Sequence, residues 1–330
     1  MSHRPISPPR ASPTPGIERI RLGTELALHN RRFRVALIAL GAMTIVFGRT
    51  VPACAWPSQR IIALAPSVTE TLFAIGAGAE LVGVSQYCDF PPAVLKLPKV
   101  GSFLTPNVEE IVGLRPGLIV GLQTSANERE IRALESMGYP VLLISDDSLQ
   151  GIEHGIESIG ERTGHVRQAR DVLNSLHARM NEVTKRLRGS PARRVLMVVG
   201  HDPLVAVGGG YLNQLLGMAN CVNIAGGLGA EWPRISLEYI IAAAPDVILD
   251  GQMGSDPETP SGFWSRYPNI PAVRNHRICG YDQNAVLRPG PQIGETLQIL
   301  ASLTHPEAFA AKPAARSDAA MAGTESAHPR

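Results

Sequence analysis

Cysteine is scarce. Only Cys54, Cys88, Cys221 and Cys279 occur in 330 residues, and their spacing forms no metal-ligand pattern. Free, partly buried thiols are the expectation, and spacing alone leaves a Cys221–Cys279 bridge open. Histidine offers no metal group either. His154, His165, His177, His201, His276, His305 and His328 make no HxH or HxxxH pair, which argues against a zinc or manganese site. No apolar run reaches the ~20 residues of a membrane span. The first strand leads into Leu64-Ala65-Pro66-Ser67-Val68, which carries no GxGxxG nucleotide fingerprint. No GxSxG elbow marks a hydrolase. Gly208-Gly209-Gly210 lacks the spacing and following Lys-Ser/Thr of a phosphate loop, and is expected to be a flexible turn. Together these absences count against dehydrogenases, hydrolases and nucleotide-dependent enzymes.

Charge of one sign is also missing once the leader is set aside. The 31 basic and 29 acidic residues include eight arginines and two glutamates within the first 55, leaving 23 against 27, a net of −4. No basic stripe remains for nucleic acid. The leader resembles an export signal. Arg31, Arg32 and Arg34 precede the apolar run 35–48, and Ala53-Cys54-Ala55 provides a small-residue cleavage site with Trp56 as the mature start. An uncleaved anchor and a lipoprotein site at Cys54 are the alternatives. Arg31-Arg32-Phe33 resembles a twin-arginine signal only loosely.

What the chain has is a repeated segment. Asn107 to Val120 and Ser236 to Leu249, 129 positions apart, share an N-cap residue and a glutamate two positions later. Each then has a short apolar helix stopped near a proline, and an aliphatic strand. One repetition predicts two similar lobes, with Glu109 and Glu238 at equivalent outward-facing places. Strands at 60–64, 81–84, 118–120 and 141–144 alternate with helices at 66–75 and 127–137. This predicts an α/β lobe on a parallel sheet, with Ser67 or Thr69 capping its first helix. Ligands of such sheets collect beyond the carboxyl ends of the strands. Val166, Ala169, Leu173, Leu176, Met180, Val183 and Leu187 recur at spacings of 3 and 4, which predicts one long helix over 165–188, placed between the two patterns. After it come a strand at 195–199, a helix at 211–219, the repeat, a strand near 277–279 and a helix at 292–303.

Four segments carry a family resemblance: Arg60 to Glu70 (RIIALAPSVTE), Gly83 to Pro92 (GVSQYCDFPP), the Asn107 segment, and Arg288-Pro289-Gly290-Pro291. In this order they resemble class III periplasmic substrate-binding proteins, whose importers carry cobalamin, haem and ferric siderophores. The resemblance covers about 60–303 and is greatest to the cobalamin-binding members. It implies two Rossmann-like α/β lobes bridged by a single long helix, with the ligand in the cleft between them. The domains expected are a basic leader with signal (1–55), an N-terminal lobe (56–164), the bridging helix (165–189), a C-terminal lobe (190–305) and a disordered tail (306–330).

Carried over position by position, the resemblance implies ligand contacts at Pro66, Ser67, Tyr87, Phe103, Leu122, His201, Asp202, Trp232, Asn284 and Arg288. Phe103 stands where cobalamin binders have tryptophan, and Leu122 where another aromatic is usual. Taken alone, Tyr87, Phe103 and Trp232 read equally well as core aromatics, Arg288 as a surface ion-pair partner, and His201-Asp202-Pro203 as a turn. Glu109 and Glu238 are implied to dock arginines of the membrane permease, although a first-turn glutamate also suits the helix dipole without any partner. The resemblance thus implies a monomeric, periplasmic carrier for an ABC importer. It has no intrinsic cofactor, no catalysis and no nucleic-acid partner, and a corrinoid is its first-choice ligand. Haem, held by Tyr87, Tyr281 or His201, or a ferric siderophore is the alternative cargo.

Overall fold

A computed structural model describes residues 59–251 and 260–310. The leader and signal, and the tail from 311, lie outside the described residues. The described residues form one compact unit, built as two α/β lobes.

In the N-terminal lobe, β1 (Ile61–Ala63), β2 (Leu81–Val84), β3 (Leu118–Leu122) and β4 (Val141–Ile144) form a wholly parallel sheet of order β2-β1-β3-β4. In the C-terminal lobe, β5 (Arg193–His201) is central. β8 (Val247–Asp250) lies parallel on one side and β9 (Ile278–Gly280) beyond it, while β6 (Leu204–Ala206, antiparallel) and β7 (Cys221–Asn223, parallel) pair with β5. Strand residues alternate between two cores, as the two-residue pleat requires. Ile61, Ala63, Val120, Val195, Met197 and Leu249 face an inner core shared by both lobes. Ile62, Leu64 and Ile119 face an outer core of the first lobe, and Leu196, Val198 and Ile248 that of the second.

The helix Val166–Arg186 lies between the lobes in the chain and buries Ala169, Leu173, Leu176, Met180 and Val183. Of the expected stripe only Val166 is exposed. Glycines let it approach both neighbours. A Cβ on Gly160 would sit 2.5 Å from that of Ala169, and one on Gly294 would sit 3.3 Å from the Cβ of Arg179. Even a methyl group at 160 displaces a helix. Gly160→Val is therefore expected to cost about 2–3 kcal/mol and lower Tm by roughly 5–10 °C in thermal denaturation.

Several local expectations are corrected. The first helix, Pro66–Ala74, has Ala65 as N-cap and no side-chain cap. Pro66 fills its first turn, and Thr69 Oγ1 instead donates to Ala65 O at 3.1 Å. A second long helix, Leu149–Thr163, precedes the bridging one. Ser148 caps it by accepting from Gly151 N, and left-handed Gly164 ends it. The chain also stays ordered past 305, where Pro306–Phe309 forms a turn of helix and Arg193 donates to Glu307 at 3.2 Å.

The repeated segment is reproduced closely. Val108–Gly113 and Leu237–Ala243 are helices capped by the side chains of Asn107 and Ser236. The residue before each proline is left-handed, Arg115 at φ 48° and Ala244 at φ 47°. Arg60 Nη2 donates to Leu114 O at 2.7 Å, and Arg194 Nη2 to Ala243 O at 2.6 Å, so one guanidinium closes each helix end.

The three described cysteines are unpaired. β5 and β8 separate Cys221 on β7 from Cys279 on β9, and three strand spacings of ~4.8 Å exceed the reach of a disulfide. Cys88 Sγ lies 3.1 Å from Thr69 Oγ1, Cys221 Sγ donates to Ala219 O, and burial pushes the Cys221 thiol up to about 11.

Candidate functional site

The carboxyl ends of β3 and β4 on one lobe, and the loops after β7 and β9 on the other, enclose a cavity of about 790 Å³. This lies in the ~300–1,000 Å³ range of small-molecule and cofactor sites. Its walls are Phe103, Leu122, Tyr211, Trp232, Leu287 and Pro289. Its polar groups are Gln123, Thr124, Ser125, Ser145, Asp146, Asp147 and Glu231. Among the described residues lining it, none is basic.

Of the ten expected contacts, Phe103, Leu122 and Trp232 line this cavity. Tyr87 is 54% exposed and meets Phe103 edge-on with ring centroids 6.3 Å apart, extending the aromatic wall toward solvent. Trp232 is 42% exposed. Neither is a core aromatic. Asn127, wholly buried behind the wall, fixes two of its residues by donating through Nδ2 to Phe103 O at 2.9 Å and Leu122 O at 3.2 Å.

The other expected contacts sit elsewhere. Ser67 is buried beneath Gly290, where a Cβ would lie 3.5 Å from it, and Pro66 precedes it in the same helix. His201 ends β5 with its Nε2 2.8 Å from Asp250 Oδ2 and its ring stacked on Phe263 at 4.1 Å. Asp250 also accepts from Trp264 Nε1 at 2.7 Å. That pairing turns His201 into the second lobe's own packing, outside the lining. Asp202 is exposed in the adjacent turn. Asn284 accepts from Arg288 Nη2, and Arg288 reaches Glu70 and Asp89 rather than the cavity.

Sequence reading missed Tyr211 and the three carboxylates. The triple glycine is the one local signal for part of this group. Gly208 and Gly209 donate backbone N–H groups to Glu231 O at 2.7 and 3.2 Å. A Cβ on Gly208 would lie 2.5 Å from Ala230 O, and one on left-handed Gly210 2.4 Å from Glu231 Oε1. The run is thus a close-packed seat for the Glu231-Trp232 loop, in place of the expected flexible turn.

The carboxylates act on one another. Burial first, then the nearby Asp147, raises the pKa of Asp146; burial, then Asp146 and Asp147, raises that of Glu231. Hydrogen bonding with Ser145 and Ser148 holds Asp147 below its ordinary range. Burial, with Asp146 and Glu231 close by, keeps the Tyr211 phenol protonated, and it donates to Val286 O at 3.2 Å. The cavity is flat-walled, amphipathic and negative. It suits a large neutral or cationic ligand carrying N–H donors. Among the described residues no group of three or more metal-binding side chains occurs, and no helix is long and apolar enough to cross a membrane.

Two α/β lobes joined through a long helix, with an aromatic-walled cavity between the ends of their strands, have the architecture of a two-lobed binding protein. The chain belongs to the periplasmic binding protein family, which it matches over residues 61–285. It is 30% identical over 261 residues to an ABC transporter substrate-binding lipoprotein of Bacillus subtilis, YvrC, covering 76% of this chain and 81% of that one. It is 28% identical to a vitamin B12-binding protein of Yersinia pestis, covering 70% and 82% of the two chains. Among solved structures, the apo periplasmic heme-binding protein RhuT of Roseiflexus superposes with TM-score 0.69 at 25% identity, covering 76% of this chain and 100% of that one. These relatives are named as binding proteins, one of them of an ABC transporter, and not as enzymes, and the expected two-lobed α/β fold is met.

Proposed function

We propose that this protein is the periplasmic binding component of an ATP-driven ABC importer, acting as a monomer, and that its cargo is a corrinoid. The observation that carries the choice of cargo is the cavity's charge. Phe103, Tyr211 and Trp232 offer surfaces for a flat macrocycle, while Asp146, Asp147 and Glu231 supply acceptors with no basic residue among the lining. A corrin ring bears amide side chains whose N–H groups suit those acceptors. Haem carries two carboxylates, which the same groups repel. Two of the residues considered as axial haem ligands are also engaged: Tyr281 donates to Val198 O at 3.0 Å, and His201 pairs with Asp250. Kinship to a vitamin B12-binding protein supports the reading, and kinship to a heme-binding one defines its rival.

Docking on the permease is assigned to Glu109 and Glu238. Both are exposed in the first turns of helices of six and seven residues that share a side-chain cap and a guanidinium at the far end, which supports their use as a pair. Residues 1–55, the basic leader with its signal, serve export in this reading.

Calorimetric titration of the purified protein with cyanocobalamin, cobinamide, haemin and a ferric siderophore tests the cargo. Submicromolar corrinoid binding is expected, weakened about 10- to 100-fold in Trp232→Ala, the usual cost of removing a large aromatic from a binding site. Haemin binding without corrinoid binding would replace the cargo and leave the carrier.

A further inference from the structure

The segment between the turn Gln283–Val286 and the helix Ile293–Thr304 belongs to the C-terminal lobe and lies against the first helix of the N-terminal one. Its side chains divide their work. Leu287 and Pro289 line the cavity. Arg288, between them, points to the other lobe, where its Nη1 donates to Glu70 Oε1 at 2.9 Å and its Nη2 lies 2.8 Å from Asp89 Oδ1. Gly290 lies over Ser67, close enough that a Cβ would touch its backbone at 3.5 Å. On its own side the segment is tied by Tyr211, whose hydroxyl donates to Val286 O, and by Asn284, which accepts from Arg288 Nη2 at 3.1 Å.

The three charged groups differ in exposure. The side chain of Glu70 is 5% exposed, that of Arg288 17% and that of Asp89 55%. A buried carboxylate such as Glu70 needs a charged partner, and the planar guanidinium can serve two carboxylates through separate nitrogens, which a lysine ammonium cannot do with the same geometry. Glu70 sits in the first helix, anchored on β1, and Asp89 follows β2, so the triad joins the two lobes beside the cleft.

We propose that Arg288 is a positioning residue for ligand capture: by latching this strap onto Glu70 and Asp89, it holds the Leu287 and Pro289 wall against the opposite lobe and so controls how fast the ligand escapes. The inference rests on the cavity being the binding cleft, whichever cargo fills it. The outer half of the latch is Asp89, whose side chain is more than half exposed to solvent. The inner half is Glu70, whose charge must be removed together with that of Arg288, so that no unpaired carboxylate is left buried.

Two arms test the latch. In the first, without ligand, spin labels on Met137→Cys and Arg274→Cys, both exposed and on different lobes, report the interlobe distance by double electron-electron resonance. The Arg288→Met/Glu70→Gln pair is expected to broaden that distribution, and Asp89→Asn to broaden it less. In the second, stopped-flow displacement of cyanocobalamin is expected to show dissociation about 3- to 10-fold faster in Asp89→Asn and more than 10-fold faster in the double variant. The association rate should be little changed and Tm held in Asp89→Asn. Arg288→Lys is expected to restore only part of the slow dissociation. Unchanged distances and dissociation rates in folded variants would overturn the proposal, leaving the triad as packing only. Should the double variant not fold, Asp89→Asn decides. Should the wild-type protein ignore cyanocobalamin, the corrinoid reading fails while the distance arm still judges the latch.

Discussion

Reversing both Glu109 and Glu238 to lysine should nearly abolish import while leaving ligand affinity unchanged. Each glutamate is exposed at the start of a capped helix. Neither lines the cavity, so the cargo does not sense the change. Truncating one partner of a charge pair at a protein interface costs about 2–5 kcal/mol when the pair is desolvated, and reversal adds repulsion. Two such sites therefore weaken docking by roughly 1,000-fold or more, and single reversals fall between. Ligand-stimulated ATPase of the reconstituted importer, read as a saturation curve in carrier concentration, separates docking from capture. Normal stimulation by the double variant would remove these residues from the interface. Hydrogen bonding with Ser236 holds the Glu238 carboxyl below its usual range, so its share of docking should survive mild acidification.

Neutralising the cavity should change what it accepts. The Asp146→Asn/Asp147→Asn/Glu231→Gln variant keeps the shape and the aromatic wall but loses the charges. Hydrogen bonds to charged groups contribute about 1.5–3 kcal/mol each, so corrinoid affinity should fall at least 10-fold even if one such bond is lost. Haemin, no longer repelled, should bind more tightly than it does to the wild type. Calorimetry with both ligands reads the two changes together, and a fall in both affinities would point to a damaged fold instead. The pH profile follows from the same groups. Asp146 and Glu231 have folded-state pKa values above the ordinary 3.8 and 4.5, so they take up protons early as pH falls. Corrinoid binding should weaken as pH drops through those raised values. The contribution of these two groups to the stability of the ligand-free protein should run the opposite way. Because its folded state binds protons more readily than the unfolded chain, these two groups favour folding increasingly as pH falls through the raised values, levelling off below the ordinary ones.

The repeated unit was legible because each of its parts is local: a capping side chain, one apolar turn, a proline and an aliphatic strand. Its left-handed residues were not, since Arg115 and Ala244 carry no glycine signal. The long helix announced itself through a stripe of seven apolar positions, whereas Leu149–Thr163 shows only Ile152, Ile156 and Ile159 between glycines that weaken a helical reading. In the cleft, Phe103 and Trp232 were placed by the family resemblance rather than by type, and Tyr211 was not singled out. The acidic residues were not legible, because Asp146 and Glu231 are 85 positions apart in the chain and meet only when two sheets end at one place. His201 shows the converse. Its partner Asp250 lies 49 positions away on the neighbouring strand, and that pairing holds it outside the cavity lining.

The thiols have a practical consequence. Cys88, Cys221 and Cys279 sit singly, on segments too far apart or too deeply packed to bridge, and burial pushes each thiol above its ordinary range. A thiol is nucleophilic only as thiolate, so all three are expected to react slowly with oxidants and alkylating reagents. The fold therefore does not depend on the redox potential of the compartment in which it forms, and material made in a reducing cytosol should match exported material. A fluorophore or spin label can likewise be directed to one introduced surface cysteine while the natural three stay in place.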